Sequence, residues 1–185
     1  MTPGARALAW RSPRARAGKT CVFIDRDGVV NERPGDGYVL AWEEFRFRPD
    51  AIDALRVLAD AQIPAIVVSN QSCVGRGLLK QTGLIDIMER MTQRLERENA
   101  PLAAWYCCPH APDDGCDCRK PRPGMILRAI AEFGFDASRS HMIGDTATDA
   151  AAGEAAGCVS NVIDPSDPNA FLRAVTDVVS RAKLG

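Results

Sequence analysis

Thr20-Cys-Val-Phe-Ile-Asp25-Arg-Asp27-Gly28 runs from four apolar residues straight into two acids separated by one residue. A short apolar run rich in β-branched and aromatic side chains reads as a buried strand, with Asp25 at its end. The residue between them gives the two carboxylates different surroundings, so one can attack an electrophile while the other handles protons. A turn at Asp27-Gly28 is the competing reading, but it leaves Asp25 unexplained.

The same pattern recurs along the chain. Ile63 to Val68 is a second apolar run ending at Ser69-Asn70, and Ala103 to Cys107 a third. His141 to Ile143 ends at Gly144-Asp145, and Val159 to Ile163 reads as a last strand. Helical spacing fills the intervals. Ala51 to Leu58 places Ile52, Leu55 and Leu58 on one face, with Pro49-Asp50 as its start. Leu84 to Leu95 aligns Leu84, Ile87, Met88, Met91 and Leu95, which makes both methionines core material. Pro123-Gly-Met125 opens a helix, Thr148 to Ala156 is alanine-rich, and Asn169 to Val179 suits a surface helix. This alternation predicts an α/β fold, a three-layer Rossmann-like parallel sheet with helices on both faces. Ligands of such sheets bind outside the carboxyl ends of the strands. Asp25, Ser69 and Asp145 therefore converge on one crevice.

Asp145 and Asp149 form a second acidic pair, and with Asp25 they would make an oxygen-rich site for Mg2+. Alternatively, Asp145 or Thr146 simply caps the next helix. Arg119, Lys120, Ser69, Asn70, Gln71 and Arg76 supply donors that suit a phosphoryl group. As a set these residues describe phosphate and Mg2+ chemistry with an aspartate available as nucleophile.

Cys108-Pro-His110 and Cys116-Asp-Cys118-Arg-Lys120 place four soft ligands in one polar loop directly before the lysine. Cys3His is a closed tetrahedral set, so Zn2+ is the expected guest and its role structural. Cys107 could compete with Cys108, although it also extends an apolar run and suits a buried strand end.

Composition bounds the rest. A chain of 185 residues with 46% hydrophobic and 25% charged residues suits one soluble domain. A net charge of -1 argues against nucleic-acid partners. No stretch reaches the length of a membrane span. Residues 1–19 hold Arg6, Arg11, Arg14, Arg16 and Lys19 without an acid, which reads as a disordered basic tail before a single domain at 20–185. Seven cysteines spread through apolar runs fit a reducing compartment better than a disulfide framework. A cytoplasmic monomer is the expectation.

Together the ordered residues Asp25/Asp27, Ser69, Lys120 and Asp145/Asp149 resemble the haloacid-dehalogenase-like phosphatase superfamily. The zinc loop, Asp25-Arg-Asp-Gly-Val-Val-Asn31, Asp36-Gly-Tyr38, Asn70-Gln-Ser72 and Pro121-Arg-Pro-Gly-Met125 are similar to its heptose-1,7-bisphosphate 7-phosphatase branch. The histidinol-phosphatase branch shares the zinc loop. The resemblance implies that Asp25 attacks phosphorus, and that Asp27 first protonates the leaving oxygen and then activates water. It further implies Mg2+ on Asp25, the Asp27 carbonyl and Asp145, with Ser69 and Lys120 holding phosphoryl oxygens. Implied substrate contacts are Asn31, Asp36, Tyr38, Asn70, Gln71, Arg76 and Arg119. The intervals between motifs are too short for a large cap domain, so the zinc loop would wall the cleft. Three positions depart from the pattern: Cys73 for a glycine, Thr146 for a lysine and Ala111 for a histidine. The alternatives are a histidinol-phosphate phosphatase and a non-catalytic, zinc-stabilised phosphosugar-binding protein.

Overall fold

The computed structural model describes residues 6–15, 18–35 and 37–182. Its six strands are β1 (Leu8–Arg11), β2 (Val22–Ile24), β3 (Ala65–Asn70), β4 (Ala104–Cys108), β5 (His141–Gly144) and β6 (Val159–Val162). They form one sheet in the order β1-β4-β3-β2-β5-β6. All neighbouring pairs are parallel except β1 with β4. The helices are α1 (Ala51–Asp60), α2 (Ser72–Gly75), α3 (Gln81–Arg97), α4 (Gly124–Phe133), α5 (Ala147–Ala155) and α6 (Ala170–Ala182).

Side chains alternate across a strand, so each strand feeds two cores. Val22 and Ile24 pack with Leu55 of α1, Met88 of α3 and Phe171 of α6. Phe23 faces the other way, into a cluster with Met125 and Ala129 of α4 and Ala152 of α5. Both faces of the sheet are thereby buried, as the continuous apolar runs require. From Asn31 to Asp50 the described residues add only a short 3-10 turn at Trp42–Glu44, and α3 packs on the sheet. No large cap domain is built.

The chain leaves β2 for β3 and β4 on one side, then returns past β2 for β5 and β6 on the other. β2 and β5 therefore meet at the topological switch point, where a crevice opens at the carboxyl ends. Asp25 follows β2 and Asp145 follows β5.

The sheet is mostly parallel, as expected, with one antiparallel edge strand. That strand comes from the first 19 residues, which are therefore not all tail. Leu8–Arg11 pairs antiparallel with β4, Leu8 opposite Cys107 and Arg11 opposite Ala104. The reason is that the arginines hide a period of two: Leu8 and Trp10 turn to the core while Ala9 and Arg11 face solvent. The strand also covers what would be an open sheet edge at β4. The rest of the expected tail, at residues 1–5, 16 and 17, lies outside the described residues.

Asp50 starts α1 as expected, while its side chain serves elsewhere. Its side chain does not cap α1, the helix it precedes. Instead Oδ2 accepts the backbone N–H groups of Phe171 and Leu172 at 2.8 and 3.2 Å, capping α6 across the fold. Oδ1 accepts from Arg48 Nε at 3.3 Å, and Arg48 donates onward to the carbonyls of Pro165 and Asp167. Replacing this buried carboxylate would strand an arginine and two helix donors. Asp50→Ala should therefore destabilise the fold by about 3 kcal/mol, read as a lowered urea midpoint with an unchanged m value.

Candidate active site

Lys120 is buried at the centre of the crevice, only 4% exposed. Its Nζ lies 2.7 Å from Asp25 Oδ1, 2.6 Å from Asp149 Oδ1 and 2.8 Å from the Val68 carbonyl oxygen. Two carboxylate oxygens and a carbonyl oxygen thus surround the ammonium, the carbonyl as a hydrogen-bond acceptor and the acids as ion-pair partners. Burial alone would lower the lysine pKa, but Asp25 and Asp149 reverse this and raise it, so the ammonium stays charged.

Asp25 Oδ1 also accepts the Arg26 backbone N–H at 2.7 Å, while Oδ2 takes no hydrogen bond from the described residues. Burial pushes the Asp25 pKa up to about 7, with Lys120 opposing and Asp149 and Asp27 assisting. Carboxylate oxygens of Asp25, Asp145 and Asp149 lie within 4.8 Å of one another, a set able to hold a metal ion. Glycine is required beside them. A Cβ on Gly28, at φ +93°, would overlap Asp145 Oδ2, and one on Gly144 would overlap Asp149.

Thr146 caps α5: its N–H and hydroxyl both donate to Asp149 Oδ2. The capping alternative thus holds for Thr146, while the buried Asp145 side chain is left to the crevice. There Arg33 Nη2 lies 3.0 and 2.9 Å from its two oxygens. Burial raises the Asp145 pKa against the pull of Arg33.

Asp27 is held differently. Arg26, fully buried, donates through Nη2 to both of its oxygens at 2.7 and 2.9 Å. Asn31 Nδ2 adds 2.9 Å to Oδ1 and Gln71 Nε2 adds 2.8 Å to Oδ2. Burial opposes ionisation, yet Arg26, Asn31 and Gln71 together lower the Asp27 pKa. The neighbouring acids are thus pushed in opposite directions, the usual arrangement for splitting roles.

The expected substrate contacts separate by geometry. Asn31 and Gln71 hold Asp27, and Gln71 Nε2 also donates to Ser69 Oγ at 2.8 Å. Asn70 clamps the Lys120 backbone with two 3.0 Å bonds, Nδ2 to its oxygen and Oδ1 from its nitrogen. Tyr38 Oη meets Ser72 Oγ at 3.1 Å. Arg76 is exposed at the end of α2. Arg119 keeps a buried Nη1 with no hydrogen-bond partner in the described residues, a donor available to an anion. Asp36 lies outside the described residues. Cys73 has helical backbone within α2, so its side chain creates no left-handed strain.

Cys108, His110, Cys116 and Cys118 form a second potential metal set. Sγ of Cys116 lies 3.6 Å from both Cys108 and Cys118. His110 Nδ1 lies 3.4 Å from Cys108 and 3.2 Å from Cys118. The edges of a tetrahedron with metal–sulfur bonds of about 2.3 Å and metal–nitrogen bonds of about 2.0 Å are roughly 3.5–3.8 Å. These four atoms approach that size. Cys107, by contrast, is buried on the opposite face of β4 with the α3 side chains.

The match to a family model, haloacid dehalogenase-like hydrolase, spans residues 4–157 and so includes every group above. The chain belongs to that family. It is a phosphatase. It is 36% identical over 149 residues to the D-glycero-beta-D-manno-heptose-1,7-bisphosphate 7-phosphatase of Yersinia pestis, covering 77% of this chain and 78% of that protein. The protein of that name from Haemophilus influenzae is 36% identical over 148 residues, covering 77% and 79%. Among solved structures, the D,D-heptose 1,7-bisphosphate phosphatase of B. bronchiseptica, complexed with magnesium and phosphate, superimposes with a TM-score of 0.77 at 28% identity. That likeness covers 86% of this chain and 99% of the other.

Sequence reasoning passed over two arginines of this site. In the sequence Arg26 only separates the two acids, and Arg33 has no periodic or motif signal. Their acid partners reveal them only in three dimensions.

The raised Asp25 pKa has a stability consequence. Without added divalent cation, the native state holds this proton up to about pH 7, whereas the unfolded chain releases it near 3.8, the ordinary value of an aspartate. Native proton uptake exceeds unfolded uptake in that window, so this contribution declines as pH rises from about 4 to 7. Asp25→Asn lacks that slope. Its stability advantage over wild type should grow between pH 5 and pH 8 in urea titrations, and a constant difference would contradict the assignment.

Proposed function

We propose that this phosphatase removes the 7-phosphate of D-glycero-D-manno-heptose 1,7-bisphosphate through an aspartyl-phosphate on Asp25. The observation that supports this substrate is the 36% identity, over 77% of the chain, to relatives named for that reaction. The chemistry follows from the residues.

Asp25 Oδ1 is anchored by Lys120 and the Arg26 amide, which leaves Oδ2 to attack phosphorus. Lys120 stays charged and carries its positive charge beside the developing phosphoryl oxygens, where a preorganised donor is worth about 3 kcal/mol. Ser69 Oγ and the unpaired Nη1 of Arg119 are further donors for the phosphate groups. Asp27 begins as a carboxylate. A phosphate dianion arriving beside it adds negative charge and raises its proton affinity, so Asp27 takes up a proton from solvent water and then passes it to the leaving sugar oxygen. Once the alcohol departs, the same carboxylate, still oriented by Arg26, Asn31 and Gln71, accepts a proton from the water that opens the phosphoenzyme.

Asp25, Asp145 and Asp149, with the Asp27 carbonyl, would hold Mg2+, which supplies charge neutralisation for the phosphoryl oxygens. The donor set fits the ion on charge. Three carboxylates face only Lys120 and Arg33, so the crevice has one negative charge in excess. A divalent ion reverses that sign before a phosphate must enter.

Cys108, His110, Cys116 and Cys118 would hold a structural Zn2+, since four protein ligands leave no position for water. Its role here is to order the loop that ends in Arg119 and Lys120. In this reading the enzyme acts as a cytoplasmic monomer on a small phosphorylated sugar.

Phosphate release with Mg2+ should be measured on the α and β heptose 1,7-bisphosphates, histidinol phosphate and other small phosphomonoesters. The heptose bisphosphates should be preferred and lose only the 7-phosphate. Preference for histidinol phosphate would overturn the substrate, and comparable release from position 1 would overturn the regiochemistry. Asp25→Asn should abolish turnover while bound zinc, measured by metal analysis, stays at the wild-type level.

A further inference from the structure

Arg33 has no role in the reading above. It leaves the loop after Asn31 and reaches a residue 112 positions away, setting Nη2 between both oxygens of Asp145. The partners are unequal: the Asp145 side chain is 2% exposed and that of Arg33 is 46% exposed. The backbone around Arg33 is tied down, by Glu32 N–H to the Arg46 carbonyl at 2.8 Å and by Gly35 N–H to the Arg33 carbonyl at 2.9 Å. What can move is the arginine side chain, whose head is already half in water.

This ion pair uses both oxygens of a carboxylate that also belongs to the Asp25–Asp145–Asp149 set. A guanidinium seated on both oxygens competes with a divalent cation for that carboxylate, because the two positive charges repel at such separations. Lys120 differs, since burial and three acceptors fix it in place. Arg33 is thus the one cation of this pair that can leave. Thr146, beside Asp145, brings no charge and spends its hydroxyl on capping α5.

We propose that Arg33 is a counter-ion that changes partners: it neutralises Asp145 in the empty site and moves to a phosphate group of the substrate when a divalent cation takes that carboxylate. This rests on the reading of Asp145 as a cation ligand. The consequence is a linkage. Arg33 weakens cation binding to the empty protein and strengthens phosphate binding to the cation-loaded protein, so the two ligands favour each other's retention. A guanidinium suits the second role because its paired N–H groups match phosphate oxygens.

Calorimetric titration tests both halves on the full chain, with Mg2+ alone and then with inorganic phosphate at saturating Mg2+. Arg33→Gln and Arg33→Ala should bind Mg2+ about fivefold more tightly, the scale of an ion pair with one partner half exposed. They should bind phosphate about tenfold more weakly. Unchanged or weaker Mg2+ binding would overturn the competition. Unchanged phosphate binding would overturn the change of partner. Asp145→Asn separates the underlying reading: if it binds Mg2+ like wild type, Asp145 is not the ligand, whatever Arg33 does.

Discussion

The buried ammonium of Lys120 is the constraint on which the crevice depends. Removing such a charge from water costs several kcal/mol, and attraction to a single acid does not reliably offset it. Here two carboxylates pair with the charge and a backbone carbonyl accepts one of its hydrogens. Those acceptors come from the ends of β2 and β3 and from α5, so the lysine joins strands on both sides of the switch point. Arginine could not replace it, because a planar fork cannot address three acceptors arranged around one nitrogen. The surrounding polar groups follow from this requirement. Asn70 fixes the Lys120 backbone by both its carbonyl and its nitrogen, and Asp149 is in turn fixed by the cap of α5.

Around that centre the site keeps its acids in unequal states. Asp25 has its pKa raised by burial and Asp27 has its own lowered despite burial, although one residue separates them. The difference is Arg26, whose guanidinium is wholly enclosed and spends its donors on Asp27. The fold thus gives one acid a fixed counter-ion and leaves the other dependent on Lys120 and on a cation from solution. Burial raises the Asp25 pKa first, and the charges of Asp149 and Asp27 add to it against Lys120. A divalent ion would offset those negative charges directly.

Much of this was legible in the sequence, for a specific reason. Strand ends announce themselves locally: an apolar run that stops at Asp25, Ser69 or Asp145 states both the element and its mouth. The cysteine–histidine loop is legible because its ligands are close in sequence. Other features were hidden because their partners are remote. Asp50 caps a helix that begins 120 residues later, and Arg33 reaches Asp145 through a loop with no pattern. β1 was obscured by charge: counting arginines in the first 19 residues conceals the alternation of Leu8 and Trp10. Asn31, Asn70 and Gln71 are implied as substrate contacts by the resemblance alone. In the fold they also hold Asp27 and the Lys120 backbone, a role that spacing cannot show.

The loop from Cys108 to Lys120 shows how the two metal sets divide the work. It starts at a buried strand end and finishes at the buried lysine, yet Pro112 to Gly115 are exposed. Such a segment buries too little apolar surface to order itself, since each residue fixed costs about 1–2 kcal/mol of chain entropy. The Asn70 clamp acts only at its far end. Four ligands closing on one ion would supply the missing constraint within the loop, and Arg119 follows the last of them at once. If the lysine must arrive at a position where three acceptors already wait, its approach has to be fixed before the charge is buried. The soft-ligand cluster therefore serves the reaction by setting geometry. The oxygen-rich cluster of acids, one strand end away, governs the charge.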